Sequence, residues 1–169
     1  QIQAITTAQI AALSSDQIVG ISTNQIQVLS TAQVAAMGAD QVAKLTTGQM
    51  EKLSSSQLRA ISTTNVAALS SDQVNALSST NLNLLETAQI AAISAAVVAA
   101  MDTTKFAALN TTQISALTAD QLSALTTGEV AELTTAQVRA LSSSQIQALS
   151  TASVGALVST QLQALSSTQ

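Results

Sequence analysis

The sequence predicts an all-α fold, a tight α-solenoid with one short helix per repeat. Three observations carry that prediction: an unbroken eight-residue period, two apolar positions in every copy, and a helix start signal in nearly every copy. The period runs through 169 residues as twenty-one octads and a final Gln169. With position one set at Gln1, the copies read QIQAITTA, QIAALSSD, QIVGISTN and so on to QLQALSST, without insertion or deletion. A short unit repeated in register cannot bury its own apolar face, so neighbouring units must bury it for each other.

Positions two and five are apolar in all 21 copies, from Ile2 and Ile5 to Leu162 and Leu165. Their spacing, i and i+3, places both on one face of a helix and breaks the alternation of a strand. Position four is Ala in 15 copies, with Lys44, Lys52, Leu84 and Glu132 among the exceptions. Position three accepts Gln, Ala, Arg59, Glu51, Asn75 or Gly155, which marks it as a solvent face.

Position six is the most informative. It is Ser or Thr in 16 copies, and Gly38, Asp102 and Asn110 raise the total to 19. These are helix N-cap residues. Three residues later comes position one, which is Gln in 15 copies and Glu129 in another. Ser/Thr-x-x-Gln/Glu is a capping box, in which the hydroxyl accepts from the N3 amide and the Gln side chain meets the N-cap amide. Each octad therefore carries its own start signal. Position six caps, the helix runs from position seven to position five of the next octad, and one residue turns the chain. Glu86 and Val158 break the cap, so the least regular helices are expected there.

Two other architectures compete. A continuous amphipathic helix fails, because eight residues rotate about 800° and the apolar stripe slips about 80° per repeat. A β-solenoid is the alternative, favoured by the Ser/Thr runs. Against it stand the i, i+3 spacing, the fixed Ala and Gln, and only five Gly for the whole chain. A helix of under two turns is unstable alone, since isolated helices below about 12 residues are marginal. Stacking must hold it. One-residue connections are too short for antiparallel hairpins of 2–5-residue loops, so about three or four octads should complete a superhelical turn. The whole of 1–169 reads as one continuous solenoid, a segment of a longer array.

Composition narrows the function. Charged residues are 8%, aromatic residues 1% with Phe106 alone, and Cys and His are absent. Without Cys or His there is no zinc, haem or iron–sulfur site of the usual kinds and no His-dependent triad. Five basic residues cannot neutralise a nucleic-acid backbone. We therefore expect no enzyme, no cofactor, no metal site and no nucleic-acid partner. The most apolar stretch, Ile90 to Met101, is interrupted by Ser94 and falls short of the ~20 residues a membrane helix needs, so no membrane insertion is expected. No signal peptide is expected either, because Gln1 already lies in the repeat.

Four features are candidate sites. Lys44 and Lys52 share position four in adjacent octads, near Glu51 and Arg59, as a mixed-charge docking patch or a solvated face. Asp16, Asp40, Asp72 and Asp120 all hold position eight, where a carboxylate favours the positive end of a helix; aligned, they are a remote calcium candidate. The stretch Ala88 to Leu109 departs furthest from the consensus, with Val97, Val98, Met101, Lys105 and Phe106. Positions six to eight form Ser/Thr ledges with the regularity of an ice-binding surface, although capping occupies the position-six hydroxyls.

Segments such as Ala148-Leu149-Ser150-Thr151-Ala152 and Ala124-Leu125-Thr126-Thr127-Gly128 resemble ALTTAQ-type repeat tracts of large bacterial surface and secreted proteins, including haemagglutinin-like, adhesin-like and RTX-type giants. The resemblance covers the chain; Val97, Lys105 and Ser153 depart from it at the Gln position. It implies an extracellular, non-catalytic spacer or adhesive array, and it brings no catalytic residue. We expect a structural scaffold or spacer that displays flanking domains, the alternative being a binding module whose grooves or ledges contact glycan, protein or ice. Neither end carries a capping repeat, which leads us to expect head-to-tail self-association through apolar cross-sections.

Overall fold

The computed structural model describes Gln1–Gln169 throughout and contains twenty α-helices, one short 3-10 turn (Ile2–Ala4) and no strand. The helical reading holds and the β-solenoid alternative falls. The helices run from α1 (Thr7–Ala12) to α20 (Ser159–Ala164), one per octad, each four to six residues long.

Capping starts them as the box demands. All sixteen Ser and Thr side chains at position six accept from the backbone N–H three residues later. Fifteen Gln residues, from Gln9 to Gln169, return the contact. The Oε1 of each accepts from the N-cap N–H at 2.7–3.1 Å.

The helices end sooner than the sequence suggests. Position five is not helical: Leu13, Leu53 and Leu125 cap α1, α6 (Thr47–Lys52) and α15 (Ala119–Ala124) with φ near −60° and ψ of 130–143°. The following N-cap is also extended, so the corner contains at least two residues rather than one. The physical reason lies in the last turn. The position-five N–H bonds back three residues, as Leu13 does to the Ile10 carbonyl at 3.2 Å, and that tightening ends the helix. Position five still points inward.

Burial follows the octad. Every position-two side chain from Ile10 to Val138 is 2% exposed or less, and position five is buried from Ile21 to Leu141. Together they form one core cluster of 35 residues reaching from Ile10 to Leu157. Helix-on-helix contact joins most helices to the one three octads on: α1 to α4 (Thr31–Ala35), α3 (Thr23–Gln27) to α6, and α17 (Thr135–Ala140) to α20. The N-terminus of a helix meanwhile meets the C-terminal end of the helix four octads back, as Gln41 meets Ile10 and Leu13. A superhelical turn therefore holds between three and four octads. No helix is long and apolar enough to cross a membrane.

Irregularity does not fall where the broken caps predict. Glu86 and Val158 offer no side-chain cap, yet α11 (Thr87–Ala92) and α20 are among the longest helices, at six residues each. Their N-cap amides are still taken by Gln89 and Gln161, at 3.0 and 2.8 Å. The shortest helices, α8 (Thr63–Val66) and α12 (Ala95–Val98), are the ones carrying Asn65 and Val97 in place of Gln. All nine six-residue helices have Gln at position one. Every helix without a position-one glutamine has five residues or fewer, whereas loss of the hydroxyl does not shorten α11 or α20.

Candidate functional site: the glutamine ladder

Position one has a second role that the capping box does not reveal. From Gln33 onward, all twelve glutamines donate Nε2–H to the position-five carbonyl 28 residues earlier, at 2.5–2.9 Å. Most also reach the position-two carbonyl 31 residues earlier, as Gln121 does to Ile90 at 2.8 Å alongside Ile93 at 2.6 Å. Those carbonyls lie at the C-terminal end of a short helix, where the position-five carbonyl has no backbone donor and the position-two carbonyl has only the position-five N–H. One amide thus closes the start of its own helix and the end of a helix in the coil beneath. Its orientation is fixed by chemistry, because an N–H faces one side of the amide and carbonyls face the other.

Between Gln33 and Gln137 these amides are buried wherever Gln holds position one, and Gln121 is 1% exposed. The substitutes show what the position requires. Asn65, Asn81 and Ser153 each reach only the carbonyl 28 residues back, at 2.7, 3.2 and 2.9 Å. Lys105 Nζ donates to Leu77 O in the same register. Val97 has no donor.

Glu129 is the anomaly. It is fully buried in α16 (Thr127–Ala131). Its Oε2 accepts from the Thr126 backbone N–H at 2.7 Å and from the Thr126 hydroxyl at 2.8 Å. Its Oε1 is buried without a hydrogen-bond partner. Burial pushes the carboxyl above its ordinary value of 4.5, and the two Thr126 hydrogen bonds only partly oppose that.

A second ladder runs along position three, which is more than a solvent face. Gln3, Asn75, Asn83 and Arg139 each donate to a position-four carbonyl 25 residues ahead. Asn75 also accepts from the Asp102 backbone N–H at 2.9 Å. It thereby serves an N-cap amide left open because Lys105, at N3 of α13 (Thr103–Ala107), cannot accept.

The other candidates scatter. Lys44, Lys52 and Glu51 stay exposed and form no ion pair, while Arg59 turns away to Glu86 at 2.9 Å. With both side chains about half exposed, such a pair contributes about 0–1 kcal/mol. Around it lies an open polar cleft bordered by Asn83, Asn110, Thr111 and Gln113. Asp16, Asp40, Asp72 and Asp120 sit in separate first turns, and no three acidic side chains converge. In the Ala88–Leu109 stretch, Phe106 and Val98 are core residues of the same column.

A column of apolar side chains, wound by self-capped octads and tied coil to coil through buried amides, defines this molecule as an octapeptide α-solenoid. A family model described as the ALTTAQ repeat matches residues 19–47, 44–79, 82–119, 98–135 and 130–167. The chain belongs to the ALTTAQ repeat family. No curated protein matches it.

Proposed function

We propose that this chain is a non-catalytic scaffold or spacer that displays flanking domains of a large bacterial surface or secreted protein. The observation that supports this most is the continuity of the core and ladder from coil to coil. Adding an octad adds length and changes nothing else, which is what a spacer needs. The extracellular placement rests on the resemblance of the octads to surface-protein tracts. A second copy stacked head to tail would continue the same apolar column and ladder.

Small-angle scattering tests the spacer. Two copies joined in octad register should double the length of one, approximately, at unchanged cross-section. A compact, folded-back particle would overturn the reading. An adhesive module is the second reading, supported by the polar cleft around Arg59 and Glu86. Glycan-array signal lost on Arg59→Ala would favour it, and strong thermal hysteresis would favour ice binding through the hydroxyl ledges.

A further inference from the structure

We infer that Glu129 stands in the glutamine ladder as a neutral carboxylic acid, donating its Oε1 proton to the coil beneath and making this joint a protonation-sensitive lock. The register identifies the acceptors. Counting back 28 and 31 residues, as the glutamines do, leads to the carbonyls of Met101 and Val98. No backbone N–H donates to the Met101 carbonyl. The preceding octad sends Gln121 Nε2 to the equivalent Ile93 and Ile90 carbonyls. The next octad sends Gln137 Nε2 to the Leu109 carbonyl at 2.6 Å. A hydroxyl can do the same work, as Ser153 Oγ donates to the Leu125 carbonyl at 2.9 Å. Glu129 has the length of Gln, and its Oε1 is the one buried side-chain polar atom left without a partner. A proton on that oxygen makes it a donor. A negative charge there would face acceptors only, with no water to solvate it.

Nothing charged nearby rescues the anion. Among the elements packed against α16, α13 carries Lys105 and begins at Asp102, while α19 (Thr151–Gly155) carries no ionisable side chain. α12, whose last residue is Val98, and α20, whose Gln161 reaches the Val130 carbonyl, carry none either. Lys105 is engaged with the Leu77 carbonyl. On its own helix side lies only Glu132, the exposed C-cap. The chain's single ion pair is elsewhere, between Arg59 and Glu86.

The sign of the effect follows. The folded pKa lies above 4.5, so between that value and the folded value the folded state binds more protons than the unfolded state. Stability is full below the ordinary carboxyl pKa and falls as pH rises through the folded one.

The test compares the full chain with Glu129→Gln by thermal melting across about pH 4 to 9. The two should melt alike at the acid end. Above it the variant should gain, with its relative folding constant rising about tenfold per pH unit until the folded pKa is passed. Infrared difference spectra should show a protonated carboxyl stretch near neutral pH that Glu129→Gln removes. A pH-independent difference between the two chains, or no such stretch, would overturn the inference. So would recovery of the parent's stability by added sodium or calcium salts at high pH, because a cation would then be filling the gap.

Discussion

A glutamine at position one is worth more in the middle of the array than at its start, because its two ends serve different coils. Gln9 has no coil beneath it and makes only the capping contact, exposed to water. Gln121 makes the capping contact at 2.8 Å, part-buried, and two further bonds that are buried. Replacing Gln9 with Ala should cost about 0.5–1 kcal/mol, the ordinary value of an exposed cap. Replacing Gln121 with Ala strands the Ile93 carbonyl in the interior, takes from the Ile90 carbonyl its second donor (the Ile93 N–H is the first), and leaves the part-buried Thr118 amide without its partner. A stranded buried group costs about 1–3 kcal/mol, so the loss should be about 2–4 kcal/mol. Denaturant titrations of both variants check this; equal losses would mean the inter-coil bonds contribute nothing. The same chemistry explains the choice of residue. Capping accepts Glu as readily as Gln, and the positive helix terminus favours Glu. Fifteen Gln against one Glu at position one therefore signals a need for the NH₂ as well as the carbonyl.

At the scale of the helix, length tracks the position-one amide, and Val97 tests whether that relation is causal. α12 is four residues long, and its Ser94 cap still accepts from the Val97 amide at 3.3 Å. What is missing is a side chain to meet the Ser94 N–H and the carbonyls 28 and 31 residues back, those of Leu69 and Val66. Val97→Gln should supply both ends and raise stability by about 1 kcal/mol. Amide hydrogen exchange should slow in α12 and at its corner; unchanged exchange would show that the valine packing compensates fully. The octad period, the caps and the two buried positions were all legible in the sequence, because each depends on contacts within eight or nine residues. The early helix ends were not, since they arise from the Leu13-type amide choosing the carbonyl three residues back, a backbone choice that no side-chain pattern encodes. The inter-coil bonds were hidden for a different reason. Their partners are backbone carbonyls 28 residues away, and a carbonyl has no residue identity to read. Arg59 shows the same limit, with Glu51 close in sequence and its true partner Glu86 one superhelical turn away.

For the whole molecule, equivalence of octads makes the array tolerant of one kind of length change and intolerant of another. Deleting residues 49–56 removes one full octad. Gln57 then takes the place of Gln49 and meets the Ile18 and Ile21 carbonyls in the same geometry. Of the 35 core residues only Met50 and Leu53 are lost, and every later coil meets chemically equivalent positions below it. Deleting 49–52 alone leaves four extra residues at one corner. The blocks before and after it keep their internal ladders, but the ladder between them loses register, so the amides of the first coil above the cut no longer face their carbonyls. Contacts in such an array reach only the neighbouring coils, and stability sums local and interface contributions. The octad deletion should therefore retain the parent's helical circular dichroism per residue and a single melting transition, lowered by about 2–4 °C per kcal/mol of lost core packing. The half-octad deletion should melt in two separated steps, the shorter amino-terminal block first. Two-step melting of the octad deletion, or a single unshifted transition in the half-octad deletion, would mean that register between coils is not what holds the solenoid together.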